Sequence, residues 1–300
     1  MNLTSGSLWR PASPCGAGCL PHGDPTALRR LIAELRSAVR LAAVTGVMLG
    51  GVVLLPLLLV RHHAPGRPGA GQATARRWLA RTWARTLLAA LGVRLSARGQ
   101  PPRRGALLVA NHISWLDVIA LLAVAPHAVL LAKAEVRTWP VVGLLARVGG
   151  TVFLDRDRPR LLPVTVAEVT AALVGGAVVA GFPEGTTWCS LAGWSGQPAG
   201  RFRPALFQAA LDAGVPVTPV AIGYRSDGRP TSAAAFVGSE SLGASIRRIA
   251  AVPALTVEVE VTPALHPGPG ADRRALARVA ETAVAAITHF PVDHGHIGAS

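Results

Sequence analysis

Two residues that could act as a general base and its orienting acid lie five positions apart, His112 and Asp117, in the segment NHISWLD at 111–117. A carboxylate that accepts the Nδ1 hydrogen of a histidine fixes the ring tautomer and leaves Nε2 free to take a proton from a hydroxyl. The pair could equally be a helix-capping aspartate beside a loop histidine with locally satisfied hydrogen bonds. The spacing alone does not decide between these two interpretations.

Other hydrolytic or nucleotide chemistries have less support. One histidine and one aspartate supply at most two metal ligands, and no HExxH or comparable cluster adds to them. The segment GWSGQ at 193–197 breaks the GxSxG pattern of serine hydrolases at its last glycine. A Gly-rich GxxxxGK[ST] loop is absent from the sequence, which gives a P-loop nucleotide site no support. We therefore expect no metal at this pair.

The three cysteines, Cys15, Cys19 and Cys189, are too few for a disulfide framework. Cys15 and Cys19 lie in a segment rich in Pro and Gly, and no second ligand pair with zinc-site spacing lies near them in the sequence. We therefore expect no metal role for them and a reducing compartment for the protein.

Charge indicates the class of partner. The 300-residue chain carries a formal net charge of +14, and half of its residues are hydrophobic. Such a chain prefers polyanions, either nucleic acid or an anionic membrane surface. No zinc-finger, RNP or helix-turn-helix signature is present, and basic residues flank the apolar segments near the N-terminus. The sequence therefore favours an anionic membrane as partner and no nucleic acid.

The first 92 residues read as a tail followed by a membrane-associated region. Residues 1–28, rich in Pro, Gly and Ser, are predicted to be a disordered tail. Within 29–92, the uncharged run 41–60 is long enough to span a bilayer as a helix, although a buried core helix is the alternative and Pro56 could make the segment re-entrant. Residues 72–92 have Trp and Leu at helical spacing opposite arginines, which suits either the headgroup region or packing on a domain.

Residues 93–290 alternate short strands with helices, and 291–300 are predicted to be a flexible tail. This alternation predicts an α/β domain with a largely parallel central sheet flanked by helices. We predict strands at 105–110, 128–132, 151–154, 177–182, 217–222 and 256–261, and helices at 114–125, 140–148, 162–173, 205–213 and 273–287, with Ser114 as an N-cap. Three polar segments, 111–112, 155–156 and 183–184, each follow a predicted strand, where open sheets collect their sites.

From these motifs the chain resembles the glycerolipid acyltransferase family, whose bacterial members acylate 1-acyl-glycerol-3-phosphate. The resemblance covers roughly residues 93–225, with its motif core at 105–225. It rests on four ordered blocks: NHISWLD at 111–117, which matches the family's HX4D motif, GTVFLDR at 150–156, FPEGTT at 182–187 and VTPV at 217–220. The fourth block is similar to an apolar strand with a proline near the acyl site.

The resemblance implies the roles of seven residues. His112 and Asp117 would be catalytic, and the substrate would be bound by Lys133, Arg156, Glu184, Gly185 and Thr186. Lys133 is the only lysine among the 30 basic residues, and its segment AKAE is similar to a family segment with a phosphate-binding lysine. An ammonium binds phosphate as a point charge. Arg158 has a weaker claim, because 155–158 could be a solvated charge cluster.

The expected reaction is transfer of a fatty acyl group from acyl-CoA or acyl carrier protein, as co-substrate, to a lysophospholipid hydroxyl. The first expectation for the acceptor is 1-acyl-sn-glycerol-3-phosphate, giving phosphatidic acid. Another lysophospholipid, a lyso-ornithine lipid, or a non-catalytic lipid-binding role are the alternatives. No metal or tightly bound cofactor is implied. Amides at the start of the 114–125 helix are candidate oxyanion donors, and the domain is expected on the cytoplasmic face of the cell membrane.

The sequence departs from the family pattern after the third block. Related enzymes usually carry a basic residue followed by glycine there, whereas this chain has RFRPA at 201–205 after an inserted loop at 188–200. Contacts to the acceptor headgroup are expected in this region. The departure therefore bears on the identity of the acceptor more than on the reaction.

Overall fold

The structure is a computed structural model. It describes residues 13, 15–21, 26–60, 70–138, 142–148, 150–154, 158–189, 200–238 and 240–288. The predicted tail at 291–300 lies outside this part of the chain, as does Arg156.

A mostly parallel sheet forms the centre of the fold. Among the described residues it contains eight strands: β1 (Val93–Arg98), β2 (Ala106–Ala110), β3 (Ala128–Lys133), β4 (Val152–Leu154), β5 (Val178–Gly181), β6 (Val217–Ser226), β7 (Arg229–Pro230) and β8 (Leu255–Val261). Their order is β1-β8-β6-β2-β5-β3-β4, with β7 paired to β6. Only the pairings of β6 with β8 and with β7 are antiparallel among these strands.

Helices cover both faces of this sheet. They are α1 (Ala27–Val60), α2 (Ala70–Ala90), α3 (Leu116–Val124), α4 (Val142–Val148), α5 (Leu162–Val174), α6 (Ala205–Ala213), α7 (Leu242–Ala251) and α8 (Arg273–Thr288). Alternate residues of β2 point to opposite faces: Leu108 packs in the core shared with α2, α3 and α7, and Leu107 in the core shared with α5, α6 and α8. Burial on both faces explains why β2 reads as a continuous apolar run.

The predicted α/β class and largely parallel sheet are confirmed. The eleven predicted elements each coincide with an observed one, and β6 extends further, to Ser226. Among the described strands and α-helices, three were not predicted: β1, β7 and α7. β1 has a mixed, partly exposed pattern (VRLSAR) because it lies at the edge of the sheet. In α7 the two arginines interrupt the apolar run, and only its buried stripe of Ser245, Ile249 and Ala250 faces the core.

The prediction of a disordered tail over 1–28 is wrong for residues 15–21. Cys15 is buried, a 3-10 turn spans Ala17–Cys19, and the Ser232 hydroxyl donates a 2.6 Å hydrogen bond to the Cys19 carbonyl. The Sγ atom of Cys15 lies 2.7 Å from that of Cys189. The fold thus closes a separation of 174 residues and brings a third thiol to Cys15 and Cys19, which the sequence spacing did not indicate.

Helix α1 contains the predicted membrane segment but begins earlier, at Ala27, and continues through Pro56 to Val60. Its stretch Ala27–Val53 is long and apolar enough to cross a membrane, and only 6% of the most apolar window is buried. Arg40 anchors this helix to the domain by donating to the carbonyls of Ala250 and Val252 at the end of α7, at 3.0 and 2.7 Å. The C-terminal carbonyls of α7 thus receive a cation from α1, as helix electrostatics favours.

The two interpretations of 72–92 apply to different halves of α2. Leu87, Leu88 and the following Leu91 are buried against the domain, where α2 packs on α3. Trp78, in the N-terminal half, is instead 63% exposed. The C-terminal half is therefore a packed amphipathic helix, and the N-terminal half presents an aromatic side chain to the surroundings.

Candidate active site

The sequence blocks converge on one edge of the sheet. Strands β2, β5, β3 and β4 are neighbours in that order and all run parallel. Their carboxyl ends therefore meet at the same edge. His112 follows the end of β2, Glu184 follows the end of β5, and Lys133 is the last residue of β3.

His112 and Asp117 form a hydrogen-bonded pair. Nδ1 of His112 lies 2.9 Å from Oδ2 of Asp117, whose side chain is fully buried, whereas 18% of the His112 side chain is exposed. The ring of His112 stacks on Phe182, with centroids 4.1 Å apart. With Nδ1 engaged by a buried carboxylate, Nε2 is the nitrogen left for an attacking hydroxyl.

Asp117 also organises the turn that carries the histidine. Its Oδ2 accepts the amide hydrogens of Ile113 and Ser114 at 2.6 and 2.8 Å, and its Oδ1 accepts the Tyr224 hydroxyl at 2.5 Å. A carboxylate with its two oxygens suits four donors, because it has acceptor sites only. Asp117 therefore contacts the histidine and also orders the turn that precedes α3.

The start of helix α3 agrees closely with the predicted one. Helix α3 begins at Leu116, and the hydroxyl of Ser114, the predicted N-cap, accepts the amide hydrogen of Leu116 at 3.3 Å. The candidate oxyanion donors at the start of the 114–125 helix include three amides that already have acceptors within the turn. Asp117 accepts the amide of Ser114, and the side chain and carbonyl of Ser114 accept those of Leu116 and Asp117.

Glu184 supports the backbone of the histidine. Its Oε2 accepts the amide hydrogen of His112 at 2.6 Å, and the residue is only 6% exposed. Burial raises the pKa of the Glu184 carboxyl well above its ordinary value, against the lowering effect of the His112 amide, and the charges of Asp117 and Glu281 raise it further. Glu184 thus acts on the site through the position of His112.

The rest of the third block forms the wall beside this contact. Gly185 has a φ of +78°, a left-handed conformation that favours glycine, and its amide donates to the Phe182 carbonyl at 3.1 Å. Gly185 and Thr186 are half-buried. Further along, the amide of Trp188 donates to the carbonyl of His112 at 2.8 Å. The segment 182–188 therefore holds both backbone polar groups of the histidine.

Lys133 lies at the exposed end of β3, paired in register with Leu154 of β4. Arg156 comes two residues after Leu154 but lies outside the described residues. Arg158, the weaker candidate, is exposed. The strand pairing thus brings the Lys133 backbone to the end of β4, the strand from which the Arg156 segment departs.

The segment at 201–205, where the sequence departs from the family pattern, is held by two hydrogen bonds from its backbone amides. The amide of Phe202 donates to Oε2 of Glu281 on α8 at 2.8 Å, and the amide of Arg203 donates to the Pro183 carbonyl at 3.0 Å. Arg201 and Arg203 are exposed. The segment 200–204 therefore runs beside the third block, while residues 190–199 of the insertion lie outside the described part of the chain.

Two side chains of the site were not identified from the sequence. Tyr224 donates to Asp117 from the C-terminal half of β6, and Phe182 stacks on His112. Tyr224 is the only tyrosine of the chain. Like the only lysine, it could have been singled out because its residue type occurs once. Nothing in the local sequence connects it to Asp117.

Comparison with known proteins agrees with this geometry. The family model described as Acyltransferase matches residues 93–223. A lyso-ornithine lipid O-acyltransferase of Pseudomonas aeruginosa is 38% identical over 255 residues, which are 84% of this chain and 93% of that protein. A 1-acyl-sn-glycerol-3-phosphate acyltransferase of Neisseria meningitidis is 34% identical over 211 residues, 70% of this chain and 80% of that protein.

A solved structure has the same fold. The crystal structure of the 1-acyl-sn-glycerophosphate acyltransferase from Thermotoga maritima superposes with a TM-score of 0.66 at 20% sequence identity, covering 87% of this chain and 96% of that one. At this identity the likeness concerns the fold alone.

Proposed function

The chain belongs to the acyltransferase family that acylates lysolipids, and from this premise we propose that it esterifies 1-acyl-sn-glycerol-3-phosphate to phosphatidic acid with His112 as general base. The observation that carries the proposal is the contact between Nδ1 of His112 and the buried Asp117 carboxylate at 2.9 Å. This contact lies at the edge where the ends of four parallel strands meet.

The chemical step follows from the pair. Nε2 of His112 takes the proton from the acceptor hydroxyl as the hydroxyl oxygen attacks the thioester carbonyl. The tetrahedral intermediate collapses with cleavage of the carbon–sulfur bond, and the imidazolium returns the proton to the leaving thiolate. Asp117 holds the ring tautomer and stabilises the imidazolium in between. Protons and electrons balance without a metal or a redox cofactor.

Lys133 and Arg156 are proposed to bind the acceptor phosphate. Neighbouring strands are about 4.8 Å apart, so β3, two strands from β2, lies about 10 Å from the strand that carries the histidine. An extended lysine side chain and a glycerol phosphate together bridge that distance. Glu184, Gly185 and Thr186 form the wall between the two strands, on the loop after β5.

A membrane location is supported by α1. Its exposed apolar side chains include Leu28, Leu31, Leu35 and Val39, and the basic chain complements an anionic bilayer. Acyl thioesters of coenzyme A and of acyl carrier protein are cytoplasmic. We therefore place the domain on the cytoplasmic face of the cell membrane, with either thioester as donor.

A lyso-ornithine lipid is the second candidate acceptor. The observation that favours it is the Pseudomonas aeruginosa relative, which is 38% identical over 93% of its own length. Such a lipid presents a carboxylate in place of the phosphate, and cationic side chains at the ends of β3 and β4 suit both anions.

The test is a product analysis. Purified full-length protein in detergent is incubated with labelled acyl-CoA or acyl carrier protein and with 1-acyl-glycerol-3-phosphate, lyso-ornithine lipid or lysophosphatidylcholine, and products are identified by mass. We expect phosphatidic acid from the wild type and none from His112→Ala, while the exposed His266 serves as control in His266→Ala and keeps activity. Acyl transfer by His112→Ala near the wild-type rate contradicts the mechanism. If diacylated ornithine lipid is the only product, the acceptor is lyso-ornithine lipid and not 1-acyl-glycerol-3-phosphate.

A further inference from the structure

All three cysteines of the chain meet in one place. The Sγ atoms of Cys15, Cys19 and Cys189 all lie within 4.8 Å of one another, and no other cysteine exists in the sequence. Cys15 and Cys189 are buried, and Cys19 is half-buried. None of the three has a part in acyl transfer, so the cluster needs a separate explanation.

The backbone around the thiols is fixed by hydrogen bonds. The amide of Cys19 donates to the Gly16 carbonyl at 2.9 Å and closes the turn that returns Cys19 to Cys15. The carbonyl of Cys19 accepts the Ser232 hydroxyl at 2.6 Å. The amide of Cys189 donates to Sγ of Cys15 at 3.0 Å, the kind of contact that stabilises sulfur ligands of metal sites.

We propose that Cys15, Cys19 and Cys189 bind a zinc ion through three thiolates. Soft thiolate ligands select zinc over the hard cations magnesium and calcium. Tetrahedral zinc with zinc–sulfur bonds of about 2.3 Å separates its sulfurs by about 3.8 Å. That separation is within the 4.8 Å limit of the cluster. The Sγ atoms of Cys15 and Cys189 are 2.7 Å apart, and a side-chain rotation that moves one sulfur by about 1 Å would give them the separation that zinc requires.

Binding is a ligand exchange without redox chemistry. Each thiol releases its proton to solvent, and its sulfur replaces one water of the hydrated cation. Cys19 is the half-buried member of the cluster. It marks the side from which a remaining water completes the tetrahedron.

A disulfide between Cys15 and Cys189 is the competing explanation. Their sulfurs are 2.7 Å apart, which is longer than the S–S bond of about 2.05 Å. A disulfide also needs an oxidant, which acyl transfer does not supply, and it leaves the convergence of Cys19 unexplained. Zinc accounts for all three thiols.

The site has a structural consequence for the catalytic segment. It joins residues 15–21 to Cys189, and the preceding Trp188 donates its amide to the carbonyl of His112 at 2.8 Å. The proposed zinc ion therefore clips the N-terminal segment to the loop that holds the histidine backbone. Removing the metal should free residues 15–21 for proteolysis.

Metal content of the tag-free, full-length protein tests the proposal directly. We expect about one zinc ion per wild-type chain by elemental mass spectrometry, and loss of most of it in Cys15→Ser, Cys19→Ser and Cys189→Ser. His266→Ala, which removes an exposed potential ligand far from the cluster in sequence, should keep the metal. Chelation of the wild type should increase proteolytic cleavage within 15–21.

Cobalt substitution tests the site in the wild-type protein, so the test remains possible if a cysteine variant fails to fold. Wild-type protein loaded with Co²⁺ should show the thiolate-to-cobalt charge-transfer band in the near ultraviolet. A wild-type protein that contains no zinc, gives no such band and has a mass two daltons low overturns the site in favour of a disulfide. Stoichiometric zinc that survives all three cysteine substitutions overturns it as well.

Discussion

The hydroxyl of Tyr224 donates a hydrogen bond of 2.5 Å to Oδ1 of Asp117, the carboxylate whose other oxygen contacts His112. Tyr224 is fully buried on β6, and burial, followed by the charge of Asp117, raises the pKa of its hydroxyl well above the ordinary value of 10.0. The hydroxyl therefore stays a donor over the whole physiological range. Tyr224 is a positioning residue, because it fixes the rotation of the carboxylate on which the imidazole depends.

Replacement of this tyrosine tests its positioning role. Tyr224→Phe leaves Oδ1 of Asp117 buried with one donor fewer, so we expect kcat to fall about tenfold, equivalent to about 1.4 kcal/mol. KM for the acceptor should stay within about twofold, since the hydroxyl does not face substrate. A variant with raised KM and unchanged kcat would show that Tyr224 acts in binding instead.

Asp117→Asn should be far more damaging than Tyr224→Phe. The amide keeps the volume of the carboxylate but places an N–H among the donors of Ile113, Ser114 and Tyr224, and it cannot stabilise an imidazolium. We expect kcat to fall on the order of 10³-fold or more. Steady-state kinetics of the folded Asp117→Asn variant measures this loss of kcat. The matched control is Asp212→Asn, at the exposed end of α6. Activity within tenfold of wild type rules out the orienting role.

Glu184→Gln tests the consequence of the raised carboxyl pKa. A carboxyl whose pKa is higher in the folded than in the unfolded chain stabilises the fold fully below its ordinary value of 4.5, and loses that contribution as pH rises through the folded pKa. Glutamine does not titrate, so the melting temperature of Glu184→Gln should rise relative to that of the wild type as pH increases from about 4.5 to 8.

The exposed Glu168 on α5 supplies the control. Glu168→Gln removes an exposed carboxyl and should change the melting temperature little. A pH-independent difference for Glu184→Gln would contradict the raised pKa of the Glu184 carboxyl.

Lys133→Gln should weaken acceptor binding and leave chemistry nearly intact. Removing a cation that contacts an anionic headgroup costs about 1.5–3 kcal/mol, so KM for the phosphate acceptor should rise roughly tenfold or more while kcat changes little. Arg137→Gln removes one charge from the exposed turn after β3 and is the control for a general electrostatic effect. Equal changes in KM for both variants would remove Lys133 from the binding site.

Asn111→Ala should destabilise the fold more than a surface substitution. The buried Asn111 side chain donates to the Ile222 carbonyl at 2.9 Å and accepts the Ile222 amide at 2.8 Å. Loss of both contacts at a buried site costs about 2–4 kcal/mol. Denaturant unfolding measures this. The control is Gln208→Ala, which truncates a half-buried amide whose hydrogen bond to Asp212 lies at the surface, and its stability is expected within about 0.5 kcal/mol of wild type. A cost below 1 kcal/mol would mean that water replaces the side chain.

The sequence was informative where the determinants are local. His112 and Asp117 are five residues apart in one strand–turn–helix unit, so their contact was one of the two interpretations that the spacing left open. The parallel sheet followed from alternation of apolar runs with helical periodicity. These features require no knowledge of which distant segments meet.

The remaining features depend on contacts that are distant in sequence. Tyr224 reaches Asp117 only because β6 lies beside β2, and Cys15 reaches Cys189 only because the N-terminal segment folds back on the domain. The antiparallel pairing of β8 with β6 was likewise not predicted. Side-chain periodicity sets which face of a strand is buried but does not specify its neighbour.

The strand order separates the proposed general base from the proposed phosphate-binding arginine, and this separation bears on how such enzymes diversify. The proposed general base, His112, follows β2, an interior strand, whereas the segment with Arg156 follows β4, which has a single neighbour among the described strands. A peripheral strand can change its length or its following loop without repacking the centre. A lineage could therefore exchange one anionic headgroup for another by altering the margin of the sheet, and inherit the reaction unchanged.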